Sequence, residues 1–408
     1  MSKFRRIDSF KMYIILTFTS QFLFTLIFTF NMLYQLKVVG LNPLQLVLVG
    51  TVLELTVFLF EIPTGLVADV KSRKLSIIIG YILIGTGFLI EGLFPFFIAV
   101  LVTQVLWGIG YTFTSGAVQA WIADEVGEEK ASVAFVKGAR VEKVGQLLAI
   151  PISMMIAVFT LRLPIIIGGL CFLVLALFLM FVMKETNFQK RESGTETNWY
   201  LMKENVKMIV VFSRRSIVIM LLLFIALFSG IYSEGLDRLW LAHLLEHPFF
   251  AFVKEEATVY VVGAIQFVVA VCSLLALSLL NRTTIYQQLN KIYRMLFVCT
   301  AIIVVSLIGF ATTKYIIGLL FFYILIEVMR HLIYPLQDIW LNKMVPDSST
   351  RATFFSVKGQ ADAIGQIGGG PFIGYVATGF SISAAFILSA FLLAPVLWLY
   401  KIVMKKSE

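Results

Sequence analysis

Six residues in one apolar stretch, Glu327, Arg330, His331, Tyr334, Gln337 and Asp338, carry the side chains best suited to chemistry. Spacings of three and four put Glu327 on the same helical face as Arg330 and His331, so acid and base can pair there. A shift in conformation could then hand a proton between His331 and Glu327. Arg330 keeps its charge, so its part is to hold Glu327 ionised or to bind an acidic group. Proton exchange, not bond making, is the chemistry of such a set. A charge deep in hydrocarbon costs on the order of 2.5 to 3.5 kcal/mol on insertion scales, which leaves two readings, a proton pathway or a self-neutralised structural pair.

Other polar groups stand alone in apolar surroundings. Glu54 and Glu61 lie two turns apart on one helix face, Glu61 beside Pro63; Glu234 precedes Gly235; Gln104 and Tyr111 lie on one apolar run; Gln21 and Asn31 lie on the first. Each needs a partner, a wet cavity or a proton. Asp237 and Arg238 read as interfacial charges reaching for water. His243, Glu246 and His247 have zinc-like spacing but no further clear ligand, so no metal or other cofactor is expected. Cys171, Cys272 and Cys299 sit in apolar runs and read as packing residues.

The elements that must hold these groups follow from composition. With 59% hydrophobic and 14% charged residues among 408, and a mean hydropathy of +0.92, the chain has more apolar surface than one globular core can bury. Runs of about 20 residues or more, enough to cross roughly 30 Å of hydrocarbon as helices, fall at 12–36, 44–68, 75–93, 97–123, 133–158, 163–183, 216–242, 256–280, 291–312, 315–343, 353–377 and 380–403. This predicts an all-α membrane protein of twelve transmembrane helices. A β-barrel would show short alternating strands instead.

The net charge of +9 is not that of a nucleic-acid binder, because its distribution follows the spans. Of the 33 Lys and Arg, 27 fall at span ends on the side of the N-terminus. Lys37, Arg162, Arg238, Lys254 and Lys314 fall on the other side, and Arg330 lies within a span. The positive-inside rule then puts both termini in the cytoplasm. The first apolar run is too long for a signal peptide and is expected to remain as a span. The sequon Asn281-Arg282-Thr283 lies on the cytoplasmic side and would go unused.

The second span ends in Gly65-x-x-x-Asp69-x-x-x-Arg73-Lys74. Gly65 permits close approach of two backbones, Asp69 suits a helix N-terminus, and Arg73 with Lys74 can bridge to acids at another cytoplasmic helix end. This stretch resembles the loop between helices 2 and 3 of the major facilitator superfamily, with Val70 and Ser72 where the family has a basic residue and a second glycine. The resemblance implies two six-helix pseudo-symmetric halves, a conformational latch at Gly65, Asp69, Arg73 and Lys74, and Asp124 as a partner for the basic pair. Proton-coupled exporters of the family carry an arginine four residues before a glycine in helix 4; counting back from Gly108, this chain has Gln104.

An internal repeat supports the two halves. Val136-Lys137-Gly138, then Glu142 and Gly145-Gln146, recurs as Val357-Lys358-Gly359, then Asp362 and Gly365-Gln366, and Trp121 matches Trp340. Such duplications are a transporter plan with the substrate site at midplane. The run Gly368 to Gly374, with Gly370 and Pro371, resembles the Gly-Pro motif that exporters of the family carry in helix 5, where Gly145 and Pro151 remain. Small-residue helix packing accounts for it equally. The domains are then 1–183, a cytoplasmic linker 184–215, and 216–408. Within the linker, Ser193–Asn198 reads as flexible and Trp199–Phe212 as an amphipathic surface helix.

The resemblance implies a non-enzymatic secondary transporter of a bacterial inner membrane, expected to be monomeric, that takes a small-molecule substrate and protons. Its aromatic residues and buried acids suit export of lipophilic, often cationic compounds. No phosphate-binding Gly-x-x-x-x-Gly-Lys-Ser/Thr stretch offers ATP as the driver. An uptake symporter for a small nutrient would share the fold, and the missing arginine at Gln104 favours it. A membrane receptor or scaffold is the third reading, opposed by Glu54, Glu327 and Arg330.

Overall fold

The computed structural model describes residues 8–188, 217–344 and 348–407. Among them all regular structure is helical, as lipid requires of a chain whose backbone groups must be satisfied within each segment. The helices are α1 (Ser9–Tyr34), α2 (Pro43–Val70), α3 (Arg73–Leu93), α4 (Phe97–Thr114), α5 (Ala117–Val126), α6 (Glu128–Ala157) and α7 (Arg162–Val182). They continue with α8 (Ile217–Leu245), α9 (Glu255–Asn281), α10 (Leu289–Thr312), α11 (Ile316–Met344), α12 (Ser348–Gly379) and α13 (Ile382–Ser407). With α4 and α5 taken as one broken span, these match the twelve predicted runs. Ten are long and apolar enough to cross a membrane among the described residues. The other two, α6 and α12, carry the charged repeat motif, which lowers their hydropathy without shortening them.

The break in the fourth span was not predicted. Ser115 is extended at ψ 127, Gly116 has φ +74, and the chain restarts as α5. Only glycine takes that backbone readily. The first span ends in a π-helical turn, Gln35–Val39, closed by Gly40 at φ +74. Ser72 caps α3 by accepting from the Leu75 amide at 2.9 Å.

The packing pattern repeats along with the sequence. In the first half α1 lies on α6 and α3 on α4 and α7; in the second α8 lies on α12 and α10 on α11 and α13. Small residues allow the closest approaches. A Cβ on Gly80 would come 2.6 Å from the Gly110 carbonyl, and one on Gly85 would come 2.7 Å from that of Gly169. In the second half Gly230 meets Asp362 and Gly365 meets Leu227, backbone to backbone. The matched tryptophans, Trp121 and Trp340, are both fully buried.

Two compact units emerge, Met1–Leu41 with Val52–Met202, and Asn42–Thr51 with Lys203–Glu408. The first turns of α2 thus group with the second unit, where the Leu44 amide donates to Thr378 Oγ1 at 3.0 Å. The segments 193–198 and 199–212 of the linker lie outside the described residues.

Candidate functional site

Arg330, on α11, is 7% exposed and is held by two carboxylates. Its Nη1 and Nη2 donate to Asp237 Oδ1 and Oδ2 at 2.5 and 2.8 Å, a two-pronged pair reaching α8, and Nη1 also donates to Glu327 Oε1 at 2.8 Å. Such fork geometry is the strong form of an ion pair, and inside a helix bundle it resists screening. The expected Glu327–Arg330 pair forms. The expected Glu327–His331 carboxyl pair does not, because His331 Nδ1 donates to the Glu327 backbone carbonyl at 2.8 Å.

Asp237 is the member the sequence concealed. Next to Arg238 at the far end of a span, it looked like an interfacial charge; yet its side chain, although 44% exposed, turns to Arg330. A buried arginine in an apolar run requires an anion from a neighbouring helix, and that requirement was the available signal. Arg238 turns instead to Glu234, with Nε 3.1 Å from Oε1. Glu234 is buried against Gly50 and Gly370, where any added Cβ would strike its side chain.

Beside this cluster a cavity of about 270 Å³ lies within the second unit, bounded by α8, α10, α11, α12 and α13. Arg330, Tyr334, Gln337 and Asp338 line it from α11 at spacings that keep one helical face inward. Opposite, α12 presents Lys358 and Asp362. Lys358 Nζ donates to Asp338 at 2.9 Å, Gln366 Nε2 to Asp362 at 2.8 Å, and Gln337 Nε2 to the Tyr400 hydroxyl at 3.2 Å. Asp362 entered the sequence reading only as part of a repeat.

The basic loop between α2 and α3 sits within the first unit. Arg73 bonds Asp69, and its Nε stands 3.5 Å from Asp124 Oδ2 on α5, so the structure brings these three predicted residues together. Lys74 goes elsewhere, Nζ donating to the Met180 carbonyl at 2.9 Å. A correction applies to Gly65, because no atom of the described residues lies within 4 Å of where its Cβ would stand. Gly145 and Gly374 do pack tightly, against Phe18 and against Val47 with Leu44. Pro151 and Pro371 lie inside α6 and α12.

The segment after α7 closes over the same end of this unit. Glu185 accepts from Ser72 Oγ at 2.5 Å and from the Lys74 amide at 3.0 Å. Glu125 accepts from the Thr186 and Asn187 amides at 2.5 and 2.9 Å, and Trp121 Nε1 donates to the Lys184 carbonyl at 2.7 Å.

Trp107 on α4 is the hub of an aromatic group. Phe24, Phe28, Phe88 and Tyr111 surround it, with ring centroids 5.5 to 6.3 Å away. Glu54 and Glu61 lie within electrostatic reach of Tyr111, and Gln104, one turn before Trp107, is buried. Asn31 finds its partner in an acid of the third span. It donates to Glu91 Oε1 at 2.8 Å, Gln35 donates to the same oxygen at 2.9 Å, and the Tyr34 hydroxyl donates to the Glu91 carbonyl at 2.5 Å. This buried knot under the π-helical turn escaped the sequence reading, which noted no acid in the third span.

The histidines at the far end of α8 fix a turn. His243 and His247 direct Nε2 to the carbonyls of Phe310 and Lys314, each at 2.9 Å.

The sequence matches the family profile described as Major Facilitator Superfamily over residues 13–329. A relative from Bacillus subtilis (strain 168), described as the uncharacterized MFS-type transporter YxaM, is 23% identical over 374 residues, covering 90% of this chain and 88% of its own. Among solved structures, the nucleoside transporter NupG aligns with a TM-score of 0.77 at 14% identity, over 98% of this chain and 100% of that one. A bacterial homologue of the human lysosomal transporter Spinster, inward-facing and unoccupied, gives 0.75 at 16% identity, over 99% and 98%.

Proposed function

Because the chain belongs to the major facilitator superfamily, and is a multi-pass membrane transporter of that type, we propose that it exports lipophilic, often cationic small molecules in exchange for protons. It does so by alternating access in a bacterial inner membrane, as a monomer with both termini in the cytoplasm. The organisation is 1–183 and 216–408 as halves, joined by 184–215.

The observation that carries proton coupling is the buried Arg330 with its two carboxylates. One guanidinium cannot neutralise both. Asp237 takes the two-pronged bond, so Glu327, less exposed at 15%, shares a guanidinium already engaged and is the proposed coupling carboxyl. A change of conformation that loosens the Asp237 fork would turn Arg330 fully to Glu327. His331, bound to the Glu327 backbone carbonyl, stands one turn away on the proposed pathway.

Substrate character rests on the first unit, where rings around Trp107 stand near Glu54 and Glu61, an arrangement that suits an apolar cation. Gln104, Tyr111, Glu234 and Asp338 complete the proposed pathway. Asp69, Arg73, Lys74 and Asp124 are proposed as the latch, and Gly145, Pro151, Gly370, Pro371 and Gly374 as a helix-packing motif. The rival reading is proton-coupled uptake of a small nutrient, favoured by Gln104 where exporters of the family carry an arginine. Direction of transport in inverted vesicles separates the two.

The test is Glu327→Gln, purified and placed in liposomes. Proton-gradient-driven accumulation should fall to background while substrate still binds. Gradient-driven transport equal to that of the unaltered protein would place the coupling carboxyl elsewhere, Glu54 first.

A further inference from the structure

The cavity within the second unit is lined by two carboxylates, Asp338 and Asp362, and two cations, Arg330 and Lys358, but both cations are already engaged. Asp237 and Glu327, beside the cavity and not in its wall, take up the guanidinium. Lys358 serves Asp338. Asp362 is held by the amide of Gln366, a neutral donor, at 2.8 Å. A carboxylate in such surroundings is stabilised by a cation that can be removed from water with it.

We propose that this cavity binds a small organic cation, an amine or quaternary ammonium, with its charge against Asp362 and its hydrocarbon against Tyr334, Phe355 and Tyr400. The walls fit that chemistry, because aromatic faces attract cations and shed water as apolar groups do. The size fits as well, since about 270 Å³ is near the lower end of the roughly 300–1,000 Å³ usual for ligand pockets. Lys358 acts as the internal competitor. It lies one helical turn from Asp362 on the same face of α12, and its bond to Asp338 keeps it away. The occupant thus replaces a role that Lys358 would otherwise fill. The site deepens the proposed transport function by naming a resting place for the cation in the second unit. Its existence does not depend on proton coupling.

The experiment uses purified full-length protein and phenyltrimethylammonium, a cation with no proton to lose, with binding measured calorimetrically in the absence of any gradient. Asp362→Asn should weaken binding about tenfold or more, which is about 1.4 kcal/mol, and Asp362→Glu should retain most of it. Lys358→Gln should tighten binding severalfold by removing the competitor, a response that a merely structural Asp362 would not give. Thermal melting and size-exclusion profiles confirm that each variant is folded. Equal binding by Asp362→Asn overturns the proposal, as does loss of binding in Trp107→Ala with Asp362→Asn unaffected, which would put the cation in the first unit. If instead binding behaves as expected while Glu327→Gln transports normally, the site stands and the coupling assignment falls.

Discussion

The two halves share a packing plan and differ in how they treat charge. In the first, Glu54 and Glu61 stand near a cluster of rings centred on Trp107, whereas in the second, carboxylates on α8 and α11 converge on Arg330. The repeat motif shows the divergence in small. Lys137 of the first copy is exposed and lies over the Phe10 ring at 5.3 Å; Lys358 of the second turns inward to Asp338. A Cβ on Gly138 would come 2.9 Å from the Tyr13 ring, while one on Gly359 would meet nothing within 4 Å among the described residues. Duplication preserves helix contacts, because a bundle fails without them, and leaves interior polar groups open to separate roles. An aromatic wall with acids accommodates many cations loosely; a pre-paired ionic cluster holds its members in one fixed geometry.

That contrast breaks most visibly at Arg330. Arg330→Ala strands Asp237 and Glu327, and removing one partner of a buried ion pair costs roughly 3–5 kcal/mol. Transport should vanish and the melting temperature should fall by several degrees, while Arg330→Lys keeps part of the stability without the two-pronged bond. A melting curve unchanged in Arg330→Ala would mean the cluster is solvated and the contrast false. The next effect in size belongs to Trp107→Ala. Cation–π contacts are worth about 0.5–2 kcal/mol, so the apparent affinity for aromatic cations should drop about two- to thirtyfold. Proton-gradient coupling for a non-aromatic substrate should survive; loss of both together would show that the halves do not divide the labour. The smallest effect is expected at the loop. Gly65→Ala meets empty space and trades glycine for a better helix former, so transport should be unchanged and stability equal or higher by up to about 1 kcal/mol. Asp69→Asn removes the carboxylate from Arg73 and should lower transport severalfold at equal abundance, and comparable damage from both variants would show that Gly65 makes its close approach in another conformation.

The fold was legible because a span needs only about 20 apolar residues, and twelve such runs can be read directly. Arg330 and Glu327 were legible for the same reason, as charges standing out against an apolar background. Partners on other helices were not. Asp237 and Arg238 are adjacent in sequence but point to Arg330 and Glu234, a split that only the rotation of α8 decides. Glu91 was missed because a carboxylate near a span end reads as solvated, and its partners Asn31 and Gln35, one helical turn apart, come from a different helix. The break at Gly116 was hidden because threonine, serine and glycine are ordinary in membrane helices, and a positive φ has no periodicity to betray it.

The closure formed by Lys184–Asn187 has a consequence for biogenesis. The capping carboxylate for the start of α3 comes from Glu185, more than a hundred residues later in the chain, and Glu125 waits for the Thr186 and Asn187 amides. As the chain leaves the ribosome, the first six spans are therefore unfinished at the moment the sixth has inserted, and become complete only when the next few residues emerge. Two separately expressed fragments should reassemble when the cut follows Phe188, and should do so poorly when it follows Met183.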